Sequence, residues 1–279
     1  MNVRGENAVR ERVSLGEGSE IELELSWHGI THVGLRREVN QDSFVTIPPV
    51  FSVADGMGGH EAGEIASQAV VRRLAELGGR VSANEASIEA RLIEAIDDIE
   101  LNVGETELGA GTTVTGVVLG HDPHAPNWLV FNIGDSRVYQ LFKGALSQLT
   151  IDHSVVQHLV DTGQITEEEA EYHPHSNVIT RAVGIGEEPI PDYGTVAIVP
   201  GQRLLICSDG LTKELTDAGI AHYLTEAATA QEAAEVLVDQ ALVNAGRDNV
   251  TVIVIDVHAV GDVHDTREVE TIASSAPAE

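Results

Sequence analysis

Val53-Ala54-Asp55-Gly56-Met57-Gly58-Gly59 sets an Asp-Gly turn at the C-terminal end of an apolar run, Val50-Phe51-Ser52-Val53-Ala54. The arrangement recurs at Cys207-Ser208-Asp209-Gly210, behind Leu204-Leu205-Ile206-Cys207. Two more Asp residues stand at the opposite polarity. Asp42, in Val39-Asn40-Gln41-Asp42-Ser43, precedes Phe44-Val45-Thr46-Ile47, and Asp248, in Gly246-Arg247-Asp248-Asn249, precedes Val250-Thr251-Val252-Ile253-Val254-Ile255. In antiparallel pairing the C-terminal end of one strand lies beside the N-terminal end of its neighbour. The polarity therefore predicts that all four carboxylates gather on one edge of one sheet system. A single Asp-Gly is an ordinary turn, since Asp caps its own backbone and Gly accepts positive φ. Among 45 acidic residues some also fall at strand ends by chance. Four sites of matched polarity on apolar strands go beyond that. Crowded carboxylates repel unless protons or metal ions neutralise them, which points to an all-oxygen centre of the kind magnesium and manganese prefer.

Working outward, Ile21, Leu23, Leu25 and Trp27 alternate with polar residues as in a half-buried strand. Short strands are expected around 31–35, 43–47 and 50–54. From Glu61 the period becomes helical, with Ile65, Ala66, Ala69, Val70, Leu74 and Leu77 on one face, and a second helix covers about 85–103 with Ile88, Leu92, Ile96 and Ile99 inward. Strands return at 113–119, 128–133 and 138–142. The polar, His-rich stretch 152–182 reads as a flap with a short helix at 155–161. Strands at 195–199 and 203–207, helices at 217–224 and 230–245, and a last strand at 250–257 follow. Clustered strands separated by paired helices predict an α+β fold rather than alternating βαβ units. Residues 1–19 read as a flexible tail and 259–279 as a disordered acidic one.

Composition narrows the partners. The 279 residues suit one large domain, and 42% apolar content rests the core on Val, Ile, Leu and Ala. A net charge of −29 argues against binding nucleic acid or an anionic membrane. The lone Cys207 excludes an internal disulfide framework. The start Met-Asn-Val-Arg-Gly-Glu lacks an apolar signal core, and no apolar run approaches the roughly 20 residues of a membrane span. The expectation is a cytoplasmic protein, acting as a monomer.

Six segments carry a resemblance: Arg37 through Asp42, Asp55-Gly56-Met57-Gly58-Gly59-His60, Gly111-Thr112-Thr113, Gly134-Asp135-Ser136-Arg137, Ser208-Asp209-Gly210-Leu211 and Asp248-Asn249-Val250-Thr251. In this order, from about Ile30 to Asp256, the chain resembles the metal-dependent type 2C (PPM) Ser/Thr protein phosphatases in their bacterial form. The resemblance implies two antiparallel sheets packed as a central sandwich with helices on both sides, in a catalytic domain spanning 20–258. It implies hydrolysis of phosphoserine and phosphothreonine in proteins, substrates of a Ser/Thr kinase, by a metal-activated water and without a covalent intermediate. Two Mn2+ or Mg2+ ions are implied per site. Asp55 would bridge them, Gly56 would lend its carbonyl, and Asp209 and Asp248 would complete the ligands. Asp42 would hold metal-bound waters. Arg37 would grip the phosphate bidentately, with Arg36 one register off as second choice. Gln41, where some relatives carry Glu, would bind a water or orient Asp42, and Asn249 would fix the Asp248 turn.

Asp135 and Asp209 are candidates for a third, weaker ion, with Ser154 of the flap near it. Many relatives add an Asp four residues after Asp209, where this chain has Lys213. An ammonium cannot ligate a cation, so the third ion is expected to be weak or absent; the alternative is Lys213 in solvent, with Glu214 or Ser154 filling the gap. His60 is a candidate general acid, because other relatives carry His where Met57 stands. Thr112, Thr113, Ser136 and Arg137 read as structural.

Rival chemistries find little support. A cysteine-based phosphatase needs Arg six positions after its Cys, and position 213 is Lys. No Gly-x-x-x-x-Gly-Lys-Ser/Thr loop exists for a nucleotide. The strongest alternative is a pseudophosphatase that binds phosphoproteins, which would be expected to lack one of Asp55, Asp209 or Asp248.

Overall fold

A computed structural model of the chain describes residues 3–14, 21–59, 61–80, 82–103, 109–120, 126–186 and 189–262. In chain order its elements are β1 (Val3–Gly5), β2 (Ala8–Ser14), β3 (Ile21–His32), β4 (Asp42–Ile47), β5 (Val50–Gly58), α1 (Ala62–Ala75), α2 (Glu85–Val103), β6 (Ala110–Thr112), β7 (Val114–Leu119), β8 (Asn127–Ile133), β9 (Arg137–Phe142), β10 (Ala145–Gln148), α3 (Val155–Asp161), α4 (Glu167–Glu171), β11 (Asp192–Ala197), β12 (Arg203–Cys207), α5 (Asp209–Thr212), α6 (Asp217–Glu226), α7 (Ala230–Asn244) and β13 (Val250–Asp262).

One sheet runs β1-β4-β5-β7-β8-β11, with β6 paired to β5; the other runs β10-β9-β12-β13-β3-β2. Central strands read as continuous apolar runs because each buries both faces. On β13, Ile253, Ile255 and Val257 enter the core between the sheets, while Val250, Val252 and Val254 pack outward on the helical side. On β5, Phe51 and Val53 point into the inter-sheet core and Val50 and Ala54 away from it. The few aromatics concentrate there. Phe51 meets Trp27 edge-on at 5.3 Å between centroids and Trp128 at 6.1 Å. Leu74 of α1 and Ile88 and Leu92 of α2 cover the outer face of the first sheet. Ile220 of α6 and Leu237 of α7 cover the second. The result is the α-β-β-α layering that the resemblance implied.

Several boundaries differ from expectation. The N-terminal segment is not a loose tail where described: β1 pairs in parallel with β4, and β2 pairs with β3. Val3, Ala8 and Val13 pack on the inter-sheet core, which offsets the ordering entropy. The outward charges, such as Arg12 with Glu22, are what edge strands tolerate. The separate strand at 31–35 does not exist, because β3 continues to His32 opposite β13. At the other end β13 runs through 259–262, paired with β3; the rest of the C-terminal tail lies outside the described residues. Strands β6 and β10 and helix α4 were not foreseen; each is short and lacks a strong period. Among the described residues no helix is long and apolar enough to cross a membrane.

Candidate metal centre and phosphate site

The four carboxylates come as two pairs, one from each sheet, rather than from one sheet edge. In the first sheet, Asp42 opens β4 directly opposite Asp55 on β5. Asp55 is not at a strand end, because β6 carries the pairing onward through Gly56, opposite Thr112. In the second sheet, β12 and β13 pair with Cys207 opposite Val252. That pairing puts Asp209, just past β12, beside Asp248, just before β13. Both Asp-Gly dipeptides need their glycine for close approach. A Cβ on Gly56 would sit 2.0 Å from the Gly63 carbonyl oxygen, and one on Gly210 would sit 1.9 Å from that of Asn249.

Two hydroxyls join the pairs. Ser208 Oγ, just past β12 at the start of α5, and Thr251 Oγ1, on β13, donate to Asp42 Oδ2 at 2.8 and 2.7 Å. Asp42 is fully buried, and its other oxygen, Oδ1, has no partner among the described residues. Burial pushes the Asp42 carboxyl up to about 7, with the Asp209 and Asp248 charges adding to it and the two hydroxyls opposing it. Asp55 is pushed well above the carboxylate range by burial and then by the charges of Asp42, Asp209, Asp135 and Asp248. Asp135, on the turn between β8 and β9, is raised to about 7 by burial and by Asp209. Asp209 Oδ1 is the second buried carboxylate oxygen without a partner among the described residues.

Two cations answer this charge. Arg37 forks onto Asp248, Nε to Oδ1 at 2.8 Å and Nη2 to Oδ2 at 2.9 Å. Lys213 Nζ contacts Asp209 Oδ2 and lies 3.3 Å from Asp248 Oδ2. Burial raises Asp248, but Lys213 and Arg37 outweigh it and hold the carboxyl below its ordinary value. Lys213 therefore points into the site and not into solvent. Glu214 does not fill the gap, since its buried carboxylate holds the Arg247 side chain at 2.9 Å. Ser154 is engaged as the N-cap of α3, accepting from the Gln157 amide at 3.1 Å. Arg36 makes no contact with these carboxylates, so Arg37 is the arginine in the site.

Other polar residues brace the two pairs, and Asn249 does so on a different loop from the Asp248 turn expected of it. Asn249 ties the loop before β4, donating to the Val33 and Val39 carbonyls and accepting from the Gln41 amide. The Gln41 carbonyl accepts from the Gly56 amide at 3.2 Å. Thr112 Oγ1 and the Thr113 amide both donate to the Asp55 carbonyl at 2.9 Å, and Thr113 Oγ1 meets Ser136 at 2.9 Å. Arg137 binds the flap, with Asp152 as its partner at 2.7 Å. His60 lies outside the described residues.

Three residues contribute in roles the sequence reading did not assign. Thr251 interrupts an otherwise apolar strand, and that break was a usable signal. Ser208 and Thr251 both lay within the motif segments of Asp209 and Asp248, but without a role of their own. His153 accepts from the Gly134 amide at 3.0 Å and meets Asp192 at 3.1 Å, so it fastens the flap beside Asp135.

The donor set fits divalent metal. It is all oxygen, it leaves Asp42 Oδ1 and Asp209 Oδ1 unsatisfied, and its members repel one another without added positive charge. The cage is not closed as it stands. Among the described residues no three Asp, Glu, His or Cys groups converge to hold an ion, while Lys213 and Arg37 engage two of the carboxylates.

The sequence profile described as protein phosphatase 2C matches residues 35–245. The serine/threonine phosphatase stp of Listeria innocua is 35% identical over 216 residues, covering 75% of this chain and 84% of the relative. The crystal structure of the serine/threonine phosphatase PstP/Ppp of Mycobacterium tuberculosis aligns with a TM-score of 0.77 at 36% identity, over 84% of this chain and 99% of that one. The catalytic domain of PstP in complex with two manganese ions aligns with a TM-score of 0.72 at 37% identity, over 84% and 99% of the two chains.

Proposed function

The chain belongs to the protein phosphatase 2C family, and we infer that it hydrolyses phosphoserine and phosphothreonine in proteins with the help of bound divalent metal. The observation that carries this reading is the meeting of two Asp pairs from two sheets, with Asp42 Oδ1 and Asp209 Oδ1 left unsatisfied. Asp55, the Gly56 carbonyl, Asp209 and Asp248 would hold two Mg2+ or Mn2+ ions, with Asp42 behind them. When bound, such ions supply charge against the phosphoryl oxygens and lower the pKa of an attacking water.

The chain's own residues do the rest. Arg37 is the phosphate-binding residue, because its planar fork makes two parallel charge-assisted bonds to an oxyanion. Ser208 and Thr251 keep Asp42 oriented, since both donate to the same oxygen. Among the described residues no side chain at the site is poised as a covalent nucleophile. Cys207 is fully buried with its thiol pushed up to about 12 by burial, and the Ser208 and Thr251 hydroxyls are committed to Asp42. Asp135 with Asp209 is proposed as a third, weaker metal position that Lys213 disfavours. His60 remains the candidate acid.

A non-catalytic phosphoprotein-binding module calls for loss of an essential carboxylate, and Asp55, Asp209 and Asp248 are all present. The proposed substrates are products of a Ser/Thr kinase, met by a monomer in the cytoplasm; the net charge of −29 favours protein over nucleic acid as partner. Turnover of para-nitrophenyl phosphate and of a phosphothreonine peptide, with and without Mn2+, tests the reading. Undiminished activity after exhaustive chelation overturns it.

A further inference from the structure

Asp248 has no room for another partner. Its Oδ1 accepts from Arg37 Nε at 2.8 Å and from the Asn249 amide at 2.9 Å. Its Oδ2 accepts from Arg37 Nη2 at 2.9 Å and from Lys213 Nζ at 3.3 Å. A carboxylate offers about four lone-pair positions, and four donors fill them. Asp209 differs, with Oδ2 on Lys213 and Oδ1 buried and unpartnered. Lys213 reaches both because α5 is one turn long. The Lys213 amide closes that turn on the Asp209 carbonyl at 2.8 Å, which sends the side chain back over the two carboxylates. Glu214, the next residue, is not available to it, being held by Arg247.

We propose that Lys213 and Arg37 are the resident counter-cations of Asp209 and Asp248, and that a divalent ion binds by exchange with them. The proposal rests on the phosphatase reading above and adds what the exchange does. An ion ligated by Asp248 displaces at least one donor from it, and one ligated by Asp209 Oδ2 displaces Lys213. The released ammonium and guanidinium then stand beside the incoming divalent charge, which is unfavourable until an anion joins them. The phosphoryl group supplies that anion, in geometry Arg37 can grip with its fork. Divalent ion and phosphate therefore bind with positive coupling, each tightening the other by the same factor. Lys213 is a positioning residue in this scheme: it lowers affinity for the ion alone and favours the ion with phosphate.

Calorimetric titration of Mg2+ into the full chain, with and without inorganic phosphate, tests the exchange. Lys213→Met should bind Mg2+ about tenfold tighter than wild type without phosphate, within the range typical of coupled sites. Lys213→Arg, which keeps the charge, should stay near wild type. Phosphate should tighten Mg2+ binding more in the wild type than in Lys213→Met. A second measurement needs no variant, because the chain has only two lysines, Lys143 and Lys213. After reductive methylation with 13C-formaldehyde, the Lys213 resonance should shift on adding Mg2+. That of Lys143, whose ammonium lies 5.0 Å from the Phe142 ring centroid, should stay. Equal Mg2+ affinity in wild type and Lys213→Met, or a Lys213 resonance that ignores bound Mg2+, overturns the exchange and leaves the phosphatase reading standing. Absence of any Mg2+ or Mn2+ binding to the wild type overturns both.

Discussion

Thr251 Oγ1 donates to Asp42 Oδ2 at 2.7 Å across 209 positions of sequence, so a hydroxyl from one sheet holds the buried carboxylate of the other. Thr251→Val keeps the shape of the strand and removes that donor. The metal-free protein should lose about 1–3 kcal/mol at pH 8, as for other buried groups robbed of a partner. The loss should be smaller at pH 5, where Asp42 can carry a proton. Chemical denaturation at both pH values in a chelator checks this; equal losses would show that the Asp42 charge is not what Thr251 serves.

The acidic centre makes metal-free stability depend on pH. Asp42 and Asp135 titrate near 7 in the folded chain, against 3.8 as ordinary carboxylates. Between those values the folded state binds more protons than the unfolded one, so stability falls as pH rises. The contribution is fully present below about pH 4 and is lost through pH 7. Melting temperatures in chelator should therefore drop from pH 5 to pH 8, less steeply in Asp42→Asn, and saturating Mg2+ should restore the loss at pH 8. An unchanged slope in Asp42→Asn would remove that residue from the account.

Asp55 and Asp248 should part company when neutralised. Asp55 is crowded by like charges, so Asp55→Asn should raise the melting temperature of the metal-free protein at pH 8. Asp248 is held charged by Lys213 and Arg37, so Asp248→Asn should lower it. Both changes, and Asp209→Asn, should cut turnover by orders of magnitude, since an amide cannot neutralise a divalent ion. Near-normal turnover of Asp55→Asn at limiting metal would contradict its proposed place among the metal ligands.

Arg37→Ala should raise KM for a phosphothreonine peptide about tenfold or more, as one lost charge-assisted pair costs about 1.5–3 kcal/mol. It should also tighten Mg2+ binding in the absence of phosphate, because Asp248 is freed. Arg36→Ala should change neither. Peptide kinetics at saturating Mn2+ separate the two residues, and a KM effect confined to Arg36→Ala would shift the phosphate assignment by one position.

Strand polarity, apolar alternation and the Asp-Gly turns were legible because they are local. Each strand carries its own period, and each turn its own backbone chemistry. Helices 85–103 and 155–161 were bounded correctly on that basis. The N-terminal strands were missed because Arg10, Glu11 and Arg12 leave little apolar signal; Val3, Ala8 and Val13 bury usefully only once the sandwich exists to receive them.

By itself the sequence determined that Asp42 and Asp248 stand at the start of their strands, that Asp209 follows the end of its own, and which glycines permit the close turns around them; it placed Asp55 at a strand end that β6 in fact extends. The tertiary structure decided which charges meet. Lys213 was readable as a misplaced cation, but its reach to Asp248, 35 positions away, depends on β12 pairing with β13. That Asp42 leans on Ser208 and Thr251 depends on two sheets closing face to face. Buried charge is stabilised or opposed by whatever packing brings within a few ångströms, and sequence separation carries no information about that distance.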